Sequence, residues 1–259
     1  MIPDIFITCR ILGGTVLDAI VLSDIHLGSE NCQARSLVRF LNLIRTGGLE
    51  TRRLILNGDV FDSIDFRRLK KPHWKILSLL RKLTSRLEVH WINGNHDGPA
   101  EIISHLLGVT CRDELILESG GRRILFHHGH RFDEFISRHP VITWFADRTY
   151  NLLQKLDKSH RFAKLAKKKS KIFLRCAEKI ARDSRAYAAR KGCSAVCCGH
   201  THHAEAMTEG PVHYFNSGCW TEKPCQYLTV RDGVIELHAF DSKQVSHMPL
   251  VFQPESASA

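Results

Sequence analysis

The chain has 259 residues and 43% hydrophobic content, enough for one substantial α/β domain with an ordinary packed core. Nine scattered Cys exclude a small disulfide scaffold and suit a reducing, cytoplasmic compartment. The net charge of +10 is concentrated: residues 155–191 hold 14 Lys or Arg against three acids, and the remainder is close to neutral.

In chain order, the first apolar stretch, residues 2–22, is interrupted by Asp4, Arg10 and Asp18. It falls short of the roughly 20 uninterrupted residues that a membrane span needs. Its start lacks the positive charge of a signal peptide. Neither a spanning segment nor export is expected.

Ala19-Ile20-Val21-Leu22-Ser23 is a nearly continuous apolar run, as in a strand buried on both faces. Asp24 and His26 follow it. Residues 33–45 have helical spacing, with Leu37, Phe40, Leu41 and Ile44 on one face. Arg53-Leu54-Ile55-Leu56-Asn57 reads as the next strand and ends at Gly58-Asp59. The spacing of Ile76, Leu79, Leu80 and Leu83 predicts a helix over 73–84. Residues 87–92 form a strand leading to Gly94. This alternation predicts parallel βαβ units, whose ligands sit beyond the carboxyl ends of the strands.

After a turn at Gly120-Gly121, a strand over 122–126 leads into His127. Residues 141–190 look almost wholly helical, with Gly192 as the stop. Short strands follow at 195–198, 212–215, 226–230 and 234–237, the last two joined by an Asp232-Gly233 hairpin turn. Cys193, Cys197 and Cys198 lack a second Cys pair and read as buried strand thiols rather than zinc ligands. The expected organisation is a single domain over 1–259, with 131–191 as a basic helical insert within it.

Five motifs at strand ends are rich in metal-ligating side chains. They are Asp24-Ile25-His26, Gly58-Asp59-Val60-Phe61-Asp62, Gly94-Asn95-His96-Asp97, His127-His128-Gly129-His130 and Gly199-His200-Thr201-His202. Carboxylates, imidazoles and amide oxygens hold the divalent ions that activate water. Two such ions roughly 3.5–4 Å apart can also neutralise charge on a phosphoryl group. Taken singly, each residue has an ordinary alternative. Asp24 and Asp59 suit helix caps, Asn95 suits a turn, and a lone His200 or His202 suits the surface or core. Their joint occurrence, in order and at strand ends, favours a phosphoester-hydrolysing enzyme.

The set resembles the calcineurin-like metallophosphoesterase superfamily, whose pattern is D-x-H, G-D-x-x-D, G-N-H-D/E, a strand-borne His and G-H-x-H. The resemblance spans residues 19 to about 203. It implies a four-layer αββα sandwich and two divalent ions. One ion would be held by Asp24, His26, Asp59 and His202, the other by Asp59, Asn95, His128 and His200. Asp59 would bridge them. His96 would contact the phosphoryl group and protonate the leaving oxygen, with Asp97 orienting it. Asp62 would be supportive. His128 is favoured over His127 because strand neighbours face opposite ways. His130 is read as a substrate contact or as an exposed turn residue, with the second preferred.

Between the fourth and fifth motifs, apolar positions from Phe132 to Tyr187 interleave with Lys167-Lys168-Lys169 and Lys171. Such amphipathic, cationic helices suit a solvated cap, an anionic membrane surface or nucleic acid. An insert placed here is similar to that of the UDP-2,3-diacylglucosamine pyrophosphatase family of lipid A biosynthesis. That resemblance implies Mn2+, a nucleotide-linked glycolipid substrate and a peripheral position on the cytoplasmic face of the inner membrane. The chain departs from that family at His96, where its members carry Arg, and at His130, where they usually carry Asp. The alternatives are a phosphodiesterase or nuclease acting on nucleotides or nucleic acid, and a non-catalytic binding module on the same fold.

Overall fold

A computed structural model describes residues 16–98, 102, 105, 107–133 and 171–241 of the chain. Two mixed β-sheets stack face to face, with helices on their outer faces. In the first, the order is β11 (Val234–Phe240), β10 (Cys225–Arg231), β1 (Ala19–Leu22), β2 (Arg53–Asn57), β3 (Glu88–Ile92), β4 (Cys111–Arg112). Strands β1 to β4 run parallel, and β10 and β11 add an antiparallel edge. The second sheet is β5 (Glu114–Ser119), β6 (Arg122–His127), β7 (Ala195–Cys198), β9 (His213–Asn216), β8 (Glu205–Met207). Here β6, β7 and β9 are parallel, with antiparallel edges.

The continuous apolar run of β1 makes two cores at once. Ala19 and Val21 face the second sheet, beside Ile55, Ile92, Ile124, Phe126 and Cys197. Ile20 and Leu22 face outward with Leu54, Leu56 and Trp91 onto α1 (Ala34–Arg45) and α2 (Lys71–Leu83). The second sheet repeats this pattern. Leu125, Val196 and Cys198 face α3 (Lys171–Arg190) through its Ala181 and Ala188. A side-chain period of two, with both faces covered, gives helix, sheet, sheet, helix. The four-layer α/β architecture is as expected. Cys193, Cys197 and Cys198 are buried apolar contacts in these cores.

The boundaries differ in places. Helix α2 starts at Lys71 rather than 73 because Pro72 suits its first turn and the His73 ring accepts the Lys70 N–H. Strands β4, β5 and β8 were not expected. Two of them have only two and three residues, too short for a periodic signal. Asp232 and Gly233 both have positive φ, 48° and 77°, and close the β10–β11 hairpin as predicted. Helix α3 occupies the described part of the segment expected to be helical, and Gly192 follows it with φ of 67°. Residues 134–170, the bulk of the 131–191 insert, lie outside the described residues. Among the described residues no helix is long and apolar enough to cross a membrane.

Candidate metal centre

The five motifs converge at the carboxyl ends of β1, β2, β3, β6 and β7. Backbone pairing zips the first two together. The Asp24 N–H donates to the Gly58 carbonyl at 3.0 Å, and the Ile25 and His26 N–H groups donate to the Asp59 carbonyl at 2.9 and 3.0 Å. The Trp220 N–H bonds the Asp24 carbonyl from the far side at 3.0 Å.

Asp24, His26, Asp59, His200 and His202 all adopt left-handed backbone, with φ of 52°, 52°, 52°, 68° and 55°. Non-glycine residues rarely do so, and they persist there only when their surroundings enforce it. Two motif glycines give the room. A Cβ on Gly58 would lie 2.3 Å from His128 Nδ1, and one on Gly199 would lie 2.5 Å from Asp24 Oδ2. Each glycine lets one motif's backbone press against another motif's ligand.

The result is two groups of three donors, Asp24–His26–His202 and Asp59–His128–His200, each with ligand atoms within 4.8 Å of one another. His26 Nε2 lies 3.1 Å from His202 Nε2 and 3.8 Å from Asp59 Oδ2, so the two groups adjoin. His202 Nε2 is 3.2 Å from Asp24 Oδ1. The buried His128 Nε2 is 3.2 Å from Asp59 Oδ2 yet makes no hydrogen bond there. Its Nδ1–H donates to the Asn57 carbonyl at 2.9 Å, which holds the ring so that Nε2 faces the cluster and offers a lone pair once it gives up its proton. These hard oxygen and imidazole donors, with one buried nitrogen left unbonded, fit divalent ions.

Both buried carboxylates are strongly anionic. Burial acts to raise the Asp24 carboxyl, but the charge of His202 and its hydrogen bond hold it down to about 2. Burial likewise opposes ionisation of Asp59, and His128 and His26 keep it well below the usual carboxylate range. In return, His128 is raised to about 9 and His202 to about 10, although burial alone would lower both.

The third motif divides. Asn95 and His96 are exposed on the turn after β3, and Asp97 is buried beneath them. The His96 N–H donates to Asp59 Oδ1 at 2.9 Å, and its Nδ1–H donates to the Asp62 carbonyl at 3.2 Å. The expectation that Asp97 orients the His96 ring is corrected here. Both Asp97 oxygens are engaged by the N–H groups of Asp59, Phe61 and Gly94 and by the Trp91 indole, at 2.9–3.2 Å. The Asp62 carbonyl takes the orienting role. The Asp62 carboxylate is 3.4 Å from His26 Nδ1 and 2.6 Å from Arg68, a supporting position as expected.

His127 faces away from the cluster, against Phe132, Tyr187 and the Cys198 thiol. His130 is not a freely exposed turn residue. Its ring is part-buried, 5.5 Å from that of His128 and 6.4 Å from that of His200, with Nδ1 unbonded. Burial, with the neighbouring His128 and His200, lowers it to about 4. Asp133, outside the five motifs, also belongs to the site. Its carboxylate lies 3.0 Å from His200 Nε2. Nothing local marks it, because the contact joins residues 67 apart in the chain.

The family model described as calcineurin-like phosphoesterase matches residues 18–204. No curated protein matches the chain. Among solved structures, a phosphoesterase from Escherichia coli, YfcE, is 18% identical with TM-score 0.48, covering 84% of this chain and 90% of its own. A predicted phosphoesterase from Streptococcus pneumoniae is 19% identical with TM-score 0.40, over 86% of this chain and 98% of its own. An archaeal phosphodiesterase is 11% identical with TM-score 0.45, over 86% of this chain and 99% of its own.

Proposed function

The chain belongs to the calcineurin-like phosphoesterase family, and from that premise we propose that it is a two-metal phosphohydrolase cleaving a diphosphate or phosphodiester. The observation that carries this is the pair of adjoining donor groups, Asp24–His26–His202 and Asp59–His128–His200. Asp59, beside both, would be shared between the two ions, and Asn95, exposed on the turn after β3, would add its amide oxygen to the second group. When bound, two divalent ions supply an activated water and charge neutralisation at phosphorus. The mixed carboxylate and imidazole donors accept several divalent ions, and Mn2+ is proposed from the resemblance to the glycolipid enzymes.

The protein's own groups do the rest. The exposed His96, held at Nδ1–H by the Asp62 carbonyl, presents Nε2 to the substrate; as the imidazolium it gives the Nε2 proton to the leaving oxygen and is left as the neutral ring. Asp97 locks the loops that carry Asp59 and His96. Five candidate ligands held in left-handed backbone argue for a built ion site over a scaffold that binds no ion.

For the substrate we propose UDP-2,3-diacylglucosamine, cleaved to UMP and 2,3-diacylglucosamine 1-phosphate at the cytoplasmic face of an anionic inner membrane. Support comes from the segment between the fourth and fifth motifs. Helix α3, the described end of that segment, exposes Arg175 next to Leu174 and, further along, Arg182 and Arg190, with the acidic Glu178 between them. A second reading, a phosphodiesterase acting on nucleotides or nucleic acid, is favoured by His96 standing where the glycolipid enzymes carry Arg. The test is to incubate the Mn2+-loaded protein with UDP-2,3-diacylglucosamine, single-stranded DNA and cyclic nucleotides in parallel. UMP release that depends on detergent or lipid supports the glycolipid. Cleavage of DNA or cyclic nucleotides alone selects the second reading.

A further inference from the structure

We infer that Asp133 is a positioning residue that fixes His200 for the second ion. This rests on the two-ion reading above. The two imidazoles of the second donor group are anchored through opposite nitrogens. His128 gives Nδ1–H to a backbone carbonyl and turns Nε2 to the cluster. His200 gives Nε2–H to the Asp133 carboxylate at 3.0 Å, which leaves Nδ1 to face the ion. Asp133 lies outside the group whose donor atoms are mutually within 4.8 Å, so it stands behind the imidazole rather than among the ligands. A carboxylate in that place fixes the tautomer, sets the ring plane and raises ligand basicity.

The segment that delivers Asp133 is pinned on several sides. Gly129, at φ of 113°, turns the chain out of β6 into a single 3-10 turn, His130–Phe132. The Phe132 N–H closes onto the Gly129 carbonyl and the Asp133 N–H onto the His130 carbonyl, both at 3.0 Å. The Phe132 ring meets His127 and Tyr187 edge-on, with centroids 5.5 and 5.8 Å away. Arg131 lies over the Tyr187 ring at 5.3 Å and reaches Glu114 at 3.4 Å. Glu114 also accepts from the Tyr187 hydroxyl at 2.7 Å, and from Lys191. The first residues of the basic insert and its closing helix α3 are thus tied to the same strand, β5. The carboxylate that emerges from this knot is 11% exposed, and its partner His200 is 7% exposed. A part-buried carboxylate delivered by so fixed a backbone meets its partner in one geometry.

The test is titration of Mn2+ into the ion-free full-length protein by calorimetry, for wild type, Asp133→Ala and Asp133→Asn. Wild type should take two ions. In Asp133→Ala one of the two ions should bind about 10–100-fold less tightly than in wild type, with the other unchanged. Asp133→Asn keeps an acceptor oxygen without the charge, and should fall between them. That graded recovery separates positioning from a general loss of structure. If Asp133→Ala does not fold, the Asn variant alone decides. Unchanged affinity for both ions in Asp133→Asn and in any folded Asp133→Ala overturns the inference. Fewer than two ions in the wild type removes the two-ion reading itself, and this inference with it.

Discussion

The Asp97 carboxylate holds the backbone of Asp59: its Oδ2 accepts the Asp59 N–H at 2.9 Å, and its Oδ1 accepts the Phe61 N–H at 2.9 Å. Two further donors, the Gly94 N–H and the Trp91 indole, complete its shell. Burial and the nearby Asp59 charge raise the Asp97 carboxyl, while these hydrogen bonds work to lower it. Asp97→Ala strands several buried donors, each costing about 1–3 kcal/mol. It should destabilise the protein by about 3 kcal/mol or more. Urea denaturation of the two proteins measures this, and Mn2+ uptake should weaken in parallel.

His96→Ala should lower kcat about 10²–10⁴-fold while leaving ion content intact, because a proton donor is lost and no ligand is. Hydrolysis of bis(p-nitrophenyl) phosphate, read beside elemental analysis of bound metal, separates the two effects. Loss of both ions in this variant would place His96 among the ligands instead.

Ion uptake should expel protons. Burial opposes charge on both imidazoles, but Asp59 lifts His128 to about 9 and Asp24 lifts His202 to about 10. Both rings therefore hold a proton on each nitrogen at neutral pH in the ion-free protein, whereas a ligand must be neutral. Binding at pH 7 should release about two protons, and apparent affinity should climb with pH until both rings are neutral. Calorimetry in buffers of differing ionisation heat reads the release directly. The same raised values stabilise the ion-free fold fully below about 6.5, the unfolded imidazole value. That contribution is lost as pH rises through about 9 and about 10. Ion-free protein should therefore denature more easily at pH 10 than at pH 7.

Gly58→Ala should damage the centre without replacing a ligand. The new Cβ would meet the His128 ring at 2.3–2.4 Å, on a backbone with φ of 88°. A cost of about 1–3 kcal/mol is expected, with weaker ion binding as His128 is displaced. A thermal melt and an Mn2+ titration check both parts.

Much of this centre is legible in the sequence because its ligands are local to strand ends. The apolar runs before Asp24, Asp59 and His128 announce buried strands, and the glycine beside each motif announces close backbone approach. The sandwich itself came through resemblance, since periodicity alone pairs no strands. What stayed hidden depends on contacts across the fold. Asp97 follows His96 directly, yet its carboxylate turns inward to the backbone of another motif. Asp133 looks like an ordinary loop acid until the His130–Phe132 turn brings it behind His200. His130 stands in a motif that reads as a turn, and only the approach of β7 to β6 buries it. The Leu115-Ile116-Leu117 run of β5 is apolar but short, and its strand character rests on antiparallel pairing with β6, a contact that periodicity does not show.

The most direct test is the rate of bis(p-nitrophenyl) phosphate hydrolysis by Asp59→Asn with saturating Mn2+. Asp59 adjoins both donor groups, so its loss should bring turnover down to the buffer rate. Wild-type turnover in that variant would contradict a two-metal centre at these residues.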